Sequence, residues 1–137
     1  MSLLKEVKFD SRGLVPAVVQ DVQNLEVLMM AWMTKDSLQK TLATGKAHFW
    51  SRSRQKIWLK GEESGHYQWV REILVDCDAD TLLLKVEQTR AACHLGYRSC
   101  FFRKMDRDGN LKMLGKKVFE PAKVYGKKTQ RSSNEKN

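Results

Sequence analysis

The sequence predicts an α+β protein rich in β-strands, with a mixed or antiparallel sheet and one clear helix near residues 34–44. Short runs of β-branched and aromatic residues recur along the chain, with turn-forming residues between them. One segment between these runs carries helix-capping residues at both ends. The length of 137 residues and the apolar content of 42% are typical of one soluble domain. We therefore expect one domain over residues 1–126 and a basic, flexible tail over 127–137, which has no apolar side chain.

The first two apolar runs, 15–20 and 26–33, predict a β-hairpin because a short polar segment separates them. The helix follows directly. Thr34 is an N-cap residue, Leu38 and Leu42 are four residues apart, and Gly45 stands where a helix C-cap glycine is expected.

The middle of the chain predicts further strands at 48–50, 57–59, 69–75 and 81–86, with a glycine-punctuated loop before the third of them. Residues 69–72 fit a short helix equally well. The boundaries in this region are therefore the least defined by pattern.

The composition indicates a reduced compartment and a phosphate-bearing partner. Three cysteines cannot form a closed disulfide framework, which favours the cytoplasm. The N-terminus lacks a secretion signal and the longest apolar run has seven residues, so no membrane contact is expected. The net charge is +9, with 14 basic and 12 acidic residues in 1–102 against 11 and 4 afterwards. A phosphorylated small molecule and a nucleic acid both fit this balance.

The acidic segment DCDAD at 76–80 is the first candidate metal site. In an extended chain, Asp76, Asp78 and Asp80 would point one way and Cys77 the other. Carboxylates suit Mg²⁺ and a thiolate suits Zn²⁺, so one segment would serve two ions. An EF-hand is disfavoured because Thr81 occupies the position that requires glycine. An ordinary acidic turn between two strands remains compatible with these residues.

Cys93 and Cys100 form the second candidate, because Gly96 between them allows the chain to turn back. With Cys77 they offer three thiolates, and three protein ligands leave a tetrahedral zinc one open position. His94 is the nearest fourth ligand for a closed site. The spacing fits a catalytic zinc, a structural zinc and unliganded buried thiols equally.

Five basic residues are candidate substrate ligands for phosphate: Arg52, Arg54, Lys60, Arg98 and Arg103. The alternative for the two arginines of the SRSR stretch is a solvated strand face. Among the histidines, His94 is preferred as general base because it adjoins a proposed ligand, and His66 is the second choice.

Taken together, these motifs resemble the phosphoribosyl-AMP cyclohydrolase family. The likeness rests on eight segments in one order: GLVPAVVQD (13–21), VLMMAWM (27–33), TLATG (41–45), FWSRSR (49–54), LKGEESGH (59–66), DCDAD (76–80), ACH (92–94) and SCFFR (99–103). Leu95 and Tyr97 depart from the residues that family members often carry inside the zinc-binding loop.

The resemblance implies a hydrolase that opens the adenine ring of 1-(5-phosphoribosyl)-AMP at the N1–C6 bond during histidine biosynthesis. It implies Zn²⁺ held by the three cysteines and Mg²⁺ held by the three aspartates. It also implies an intertwined homodimer in which the cysteine of the acidic motif enters the zinc site from the opposite chain. Only 34 residues follow Arg103, which indicates a monofunctional form without the helical pyrophosphohydrolase domain.

Other functions share part of this pattern, and one of them is a metal-stabilised structural domain with no activity. A zinc nucleobase deaminase would carry His-x-Glu and Pro-Cys-x-x-Cys, which are absent. A small basic zinc-binding module for RNA fits the net charge and the four tryptophans. The acidic motif argues against it, because three carboxylates would repel a phosphate backbone unless a metal neutralised them.

Overall fold

The computed structural model describes residues 1–125, so the predicted tail at 127–137 lies outside the described residues. Eight strands and three helices follow one another along this part of the chain. In chain order they are α1 (Leu3–Glu6), β1 (Val15–Asp21), β2 (Val27–Met33), α2 (Lys35–Thr44), β3 (His48–Ser51), β4 (Lys56–Leu59), β5 (Gln68–Val75), β6 (Leu82–Gln88), β7 (Arg103–Met105), β8 (Leu111–Met113) and α3 (Pro121–Tyr125).

Six strands form one mixed sheet in the order β4-β3-β2-β1-β6-β5, and β7 and β8 form a separate hairpin. Strands β1 and β6 pair in parallel, whereas the other neighbours in the large sheet are antiparallel. The sheet curls, because Trp69 at the start of β5 bridges to Lys46 just before β3. The predicted sheet-rich α+β fold is thereby confirmed.

The predicted β1–β2 hairpin is present, with Val15 opposite Met33. Alternate residues of β1 are buried, as expected for a strand with one face on the core. The core lies against the centre of the sheet, where β-branched and long apolar side chains pack together. Its largest members include Leu28, Met29, Phe49, Leu82, Leu84 and Val86.

Helix α2 begins and ends as its capping residues predict. Thr34 and Ser37 form a reciprocal capping box, and Gly45 adopts φ 77°, a left-handed conformation that glycine takes without strain. Leu38 is fully buried, but Leu42 is 49% exposed. Thr41 completes the buried face instead and accepts a hydrogen bond from the amide of His48, which joins the helix to β3.

The structure settles the ambiguity at residues 69–72, which belong to strand β5 and not to a helix. It also contains three elements that the pattern did not predict: α1, the β7–β8 hairpin and α3. The hairpin turn has a local cue, since the carboxylate of Asp106 accepts hydrogen bonds from the amides of Asp108 and Asn110. None of the helices in residues 1–125 is long and apolar enough to span a membrane.

A partly buried ion pair fixes the chain after β6 to the β1–β2 hairpin. The guanidinium of Arg98 donates to the carboxylate of Asp21, which is only 5% exposed, and to Glu26 at 3.1 Å. Its remaining nitrogen donates to the carbonyl oxygen of Arg90 at 3.0 Å. Because Asp21 lies out of water, this pair is a structural requirement of the described fold.

Arg98→Met should therefore lower the free energy of unfolding by about 3 kcal/mol, because the substitution leaves the Asp21 carboxylate buried without its partner. The matched control is Arg71→Met, which removes a bidentate but exposed pair with Glu87 and should cost far less than Arg98→Met. Urea denaturation at neutral pH measures both. Equal losses in the two variants would contradict the structural role of Arg98.

Candidate active site

One cleft collects side chains from four parts of the chain. The end of β3 and strand β4 form one wall, and the loop between β4 and β5 forms another. The cysteine loop (residues 90–100) and helix α3 complete it. The lining residues are Ser51, Arg54, Trp58, Leu59, Lys60, Gly61, Glu62, Glu63, Ser64, His94 and Tyr125.

The loop between β4 and β5 is shaped by Gly61. This residue has φ 93°, and a Cβ atom there would lie 2.7 Å from the backbone of His66 and Tyr67. The amide of Gly65 donates to the carbonyl of Gly61 at 2.7 Å, which closes the loop on itself. The glycine thus lets the chain reverse tightly and present Glu62 to Ser64 to the cleft.

Lys60 connects this loop to the cysteine loop. Its ammonium group donates a hydrogen bond to the carbonyl of Ala92, the residue before Cys93, and lies 5.7 Å from the centroid of the Trp58 ring. A cation placed beside an aromatic face and a carbonyl is held in a defined position. Lys60 therefore brings positive charge to the place where the two loops meet.

The cysteine loop is a tight reversal held by backbone hydrogen bonds. The amide of Cys93 donates to Tyr97, and that of Gly96 donates back to Cys93. Cys93 is 1% exposed, and its sulfur accepts a hydrogen bond from the Leu95 amide at 3.4 Å. Cys100 is anchored by its own amide, which donates to Leu28 at 2.7 Å. An amide that donates to sulfur favours the thiolate, the form that binds metals.

The acidic segment is a turn between β5 and β6, so the expectation of an extended chain was wrong. Ala79 has φ 62°, and its amide donates to the carbonyl of Asp76 at 3.1 Å. The carboxylate of Asp76 accepts hydrogen bonds from the amides of Asp80 and Thr81. The turn, and not strand alternation, directs the three carboxylates to one place.

One ligand oxygen from each of Asp76, Asp78 and Asp80 lies within 4.8 Å of the others. Partial desolvation opposes ionisation of Asp76, but hydrogen bonds from Asp80 and Thr81 outweigh it and lower its pKa. Hydrogen bonding to Asp78, desolvation and the neighbouring negative charges raise the pKa of Asp80. A divalent cation would relieve this repulsion, and the oxygen donors fit one of the hard type.

The three cysteine sulfurs do not form such a group in residues 1–125, where the carboxylates are the only close set of three potential metal ligands. The reason is topological. Cys77 is exposed in the turn that precedes β6, whereas Cys93 follows the end of this strand. Seven residues of extended chain span roughly 20 Å. Within one chain, Cys77 and Cys93 are therefore too far apart to bind the same zinc ion.

Of the remaining predicted residues, the cleft gathers Arg54, Lys60 and His94 and leaves the others elsewhere. The guanidinium of Arg52 lies 5.1 Å from the Trp32 ring centroid, and that of Arg103 lies 5.6 Å from the Phe102 ring centroid. Arg98 is in the ion pair described above. The sequence supplied no reason to select Tyr125, which reaches the cleft from the far end of the described chain.

His66 lies behind the cleft wall. It is 6% exposed and packs edge-on against Phe119, with ring centroids 4.7 Å apart. Burial lowers the pKa of His66, and the positive charges of Arg90 and Lys60 lower it further. The ring is therefore neutral at neutral pH.

The cations and hydroxyl groups of this cleft can bind a phosphorylated small molecule and its histidine can transfer protons, so the cleft has the groups that a hydrolase of such molecules needs. The comparisons with known proteins are more specific. A sequence model of the phosphoribosyl-AMP cyclohydrolase family matches residues 29–102.

Relatives named phosphoribosyl-AMP cyclohydrolase extend the match beyond these residues. The protein from Chlorobium phaeovibrioides is 58% identical over 127 residues, 93% of each chain. The one from Pelotomaculum thermopropionicum is 56% identical over 125 residues, 91% of this chain and 97% of its own. The histidine biosynthesis bifunctional protein HisIE of Thermoanaerobacter pseudethanolicus is 58% identical over 90% of this chain, which spans 57% of that relative. The chain belongs to the phosphoribosyl-AMP cyclohydrolase family.

The glycine of the cysteine loop gives a direct test of this local geometry. Gly96 has φ 103°, and a Cβ atom there would lie 2.5 Å from the carbonyl oxygen of Phe119. Gly96→Ala should therefore combine backbone strain with a clash that displaces residues 117–119, and should cost about 2–4 kcal/mol of unfolding free energy.

The control is Gly109→Ala, because Gly109 has a similar φ of 87° with nothing within 4 Å of the added Cβ. It should cost only about 1 kcal/mol, the strain alone. Chemical denaturation of both variants makes the comparison. If Gly96→Ala were no worse than Gly109→Ala, the close approach of residues 117–119 to the cysteine loop would be refuted.

Proposed function

We propose that this chain hydrolyses the N1–C6 bond of the adenine ring in 1-(5-phosphoribosyl)-AMP, in the cytoplasm, as a step of histidine biosynthesis. The observation that supports this proposal best is the cleft that gathers Arg54, Lys60 and His94, the residue next to Cys93. The chain also has relatives named phosphoribosyl-AMP cyclohydrolase at 58% identity. The alternative, a zinc-binding RNA module, has no comparable support from the relatives.

Within the cleft, the basic residues would hold the substrate and His94 would move protons. Arg54 presents a planar guanidinium suited to phosphate oxygens, and the hydroxyls of Ser51 and Ser64 add neutral donors. Lys60 adds positive charge near the cysteine loop. His94 would accept a proton from the attacking water and return it to the departing ring nitrogen. Tyr97 stacks on Phe102 with ring centroids 4.0 Å apart, which suits a structural role for this departure from the family pattern.

The donor sets fit two metal ions. Asp76, Asp78 and Asp80 would hold Mg²⁺ near substrate phosphate, and Cys77, Cys93 and Cys100 would hold Zn²⁺. A zinc ion with three protein ligands, when bound, supplies Lewis-acid activation of water. The sulfur of Cys93 accepts a hydrogen bond from the Leu95 amide, a contact that would also orient it as a zinc ligand.

We further propose a homodimer in which Cys77 of one chain completes the zinc set of the other. The separation of Cys77 from Cys93 along β6 supports it, because one chain cannot close the set by itself. Exposed apolar side chains support it too. They lie on edge strand β5, next to Cys77, and on the β7–β8 hairpin: Leu74, Val75, Met105, Leu111 and Met113. An apolar surface of this kind is typical of a permanent interface.

The assignment is tested by incubating zinc-replete protein with phosphoribosyl-AMP and Mg²⁺ and following ring opening by ultraviolet absorbance. Cys93→Ala should lose both bound zinc and turnover. Asp78→Ala should lose turnover but keep its zinc, because it alters only the carboxylate set. Lys40→Ala, on the exposed face of α2, is the control and should behave as wild type. Absence of turnover by zinc-replete wild type would reject the proposed function.

Mixing two inactive variants tests the shared site. In a heterodimer of Cys77→Ala and Cys93→Ala chains, one of the two zinc sites would contain only native cysteines. Random exchange of subunits, by unfolding and refolding the mixture, should therefore restore about a quarter of wild-type activity. Each variant refolded alone serves as the control. Failure of the mixture to recover activity, with refolded wild type active, would exclude a zinc site shared in this way.

A further inference from the structure

Residues 115–125, here called the strap, fold back over the cysteine loop and end in the cleft. The strap lies outside residues 29–102, the part that the family's sequence model matches. The amide of Val118 donates to the carbonyl of Gly96 at 2.7 Å, and the guanidinium of Arg90 donates to the carbonyl of Val118 at 2.9 Å. These bonds attach the strap to Gly96 and Arg90 of the cysteine loop, which carries Cys93.

The buried side chain of Phe119 anchors the strap. This side chain is 5% exposed and lies between the edge contact with His66 and the guanidinium of Arg90, which is 5.5 Å from its ring centroid. The ring of Tyr125 lies 6.2 Å from that of Phe119. Burial of an aromatic ring of this size fixes the short helix α3 in place, although the helix has no buried residue of its own.

Tyr125 reaches the cleft next to the loop between β4 and β5. Its hydroxyl group lies beside the side chain of Ser64 on that loop. Burial raises the pKa of Tyr125, so the phenol remains protonated at neutral pH. Tyr125 and Trp58 are the two large aromatic rings among the described residues that line the cleft. The Trp58 ring already packs against Phe49 and lies beside the Lys60 ammonium. The Tyr125 ring is therefore the more available of the two for contact with a ligand.

We propose that Tyr125 is a substrate-binding residue whose ring stacks on the purine heterocycle of the bound nucleotide. The inference rests on the proposed function for the identity of the substrate. This inference gives the strap a role in substrate binding. The proposed metal ligands do not explain why the strap lies at the cleft. Stacking on an aromatic ring tolerates the change of the heterocycle during ring opening better than an edge-specific hydrogen bond, because it recognises only a flat face.

Four variants of the full chain separate the roles of the ring and the hydroxyl. Tyr125→Ala and Tyr125→Leu both remove the aromatic face, and the leucine keeps most of the wall volume. Each should raise KM for phosphoribosyl-AMP by roughly 5- to 150-fold with a smaller change in kcat. Tyr125→Phe keeps the face and loses only the hydroxyl group, so its KM should rise less than about 3-fold. Lys123→Ala, exposed on the same helix, should match wild type.

The outcomes are distinct. A wild-type KM in Tyr125→Leu would overturn the proposal, because a wall without a π-face would then suffice. Equal defects in Tyr125→Phe and Tyr125→Leu would also overturn it, in favour of a contact through the hydroxyl group. The leucine and phenylalanine variants decide the question even if Tyr125→Ala does not fold, as thermal unfolding would reveal.

Binding of AMP, measured by isothermal titration calorimetry, separates this inference from the proposed function. AMP carries the same purine ring system without the N1 substituent, and its binding requires no turnover. Weaker binding by Tyr125→Leu, in a protein whose wild type does not open the ring of phosphoribosyl-AMP, would retain the stacking contact and reject the cyclohydrolase function. Turnover by wild type, together with unchanged KM and unchanged AMP binding in Tyr125→Leu, would retain the cyclohydrolase function and reject the stacking contact.

Discussion

The parallel pairing of β1 with β6 is the constraint on which the rest of the structure depends. Strand β6 is 61 residues later in the chain when counted from Asp21 to Leu82, yet Ala17 pairs with Leu82 and Asp21 with Val86. This pairing buries the centre of the sheet and sets where the loops of β6 emerge. The acidic turn leaves one end of the strand and the cysteine loop the other. The distribution of candidate ligands over the molecule follows from that single placement.

Local physical chemistry explains most of what the sequence predicted correctly. Apolar runs bounded by turn residues located the strands, and the Thr34 and Gly45 caps located α2, because these signals act within a few residues. The same reasoning failed at the acidic segment. Two amides donate to the Asp76 carboxylate there, which stabilises a turn that strand periodicity does not anticipate. The three carboxylates still converge, but for a different reason.

Contacts between distant parts of the chain were beyond prediction from one sequence. Arg98 was selected as a phosphate ligand from its residue type, yet its guanidinium lies against Asp21, a carboxylate 77 positions away. Lys60 and Ala92 meet across 32 positions, and Tyr125 reaches a cleft whose other walls precede residue 95. No local pattern encodes such meetings, because the burial of Asp21 or of Phe119 depends on how the whole sheet packs.

The separation imposed by β6 also bears on how two metal sites would serve one reaction. Within a single chain the carboxylate turn stands roughly 20 Å of strand from the cysteine loop, so the two proposed metal sites would be well separated. A twofold dimer could place each end of β6 beside the opposite end of β6 in the partner, since an isologous interface repeats every contact reciprocally. Cys77 lies inside the acidic turn, so a chain that lends Cys77 to its partner also brings Asp76, Asp78 and Asp80 to that partner's cleft. In the proposed dimer, the placement of a thiol among carboxylates thus unites the two metals at each active site.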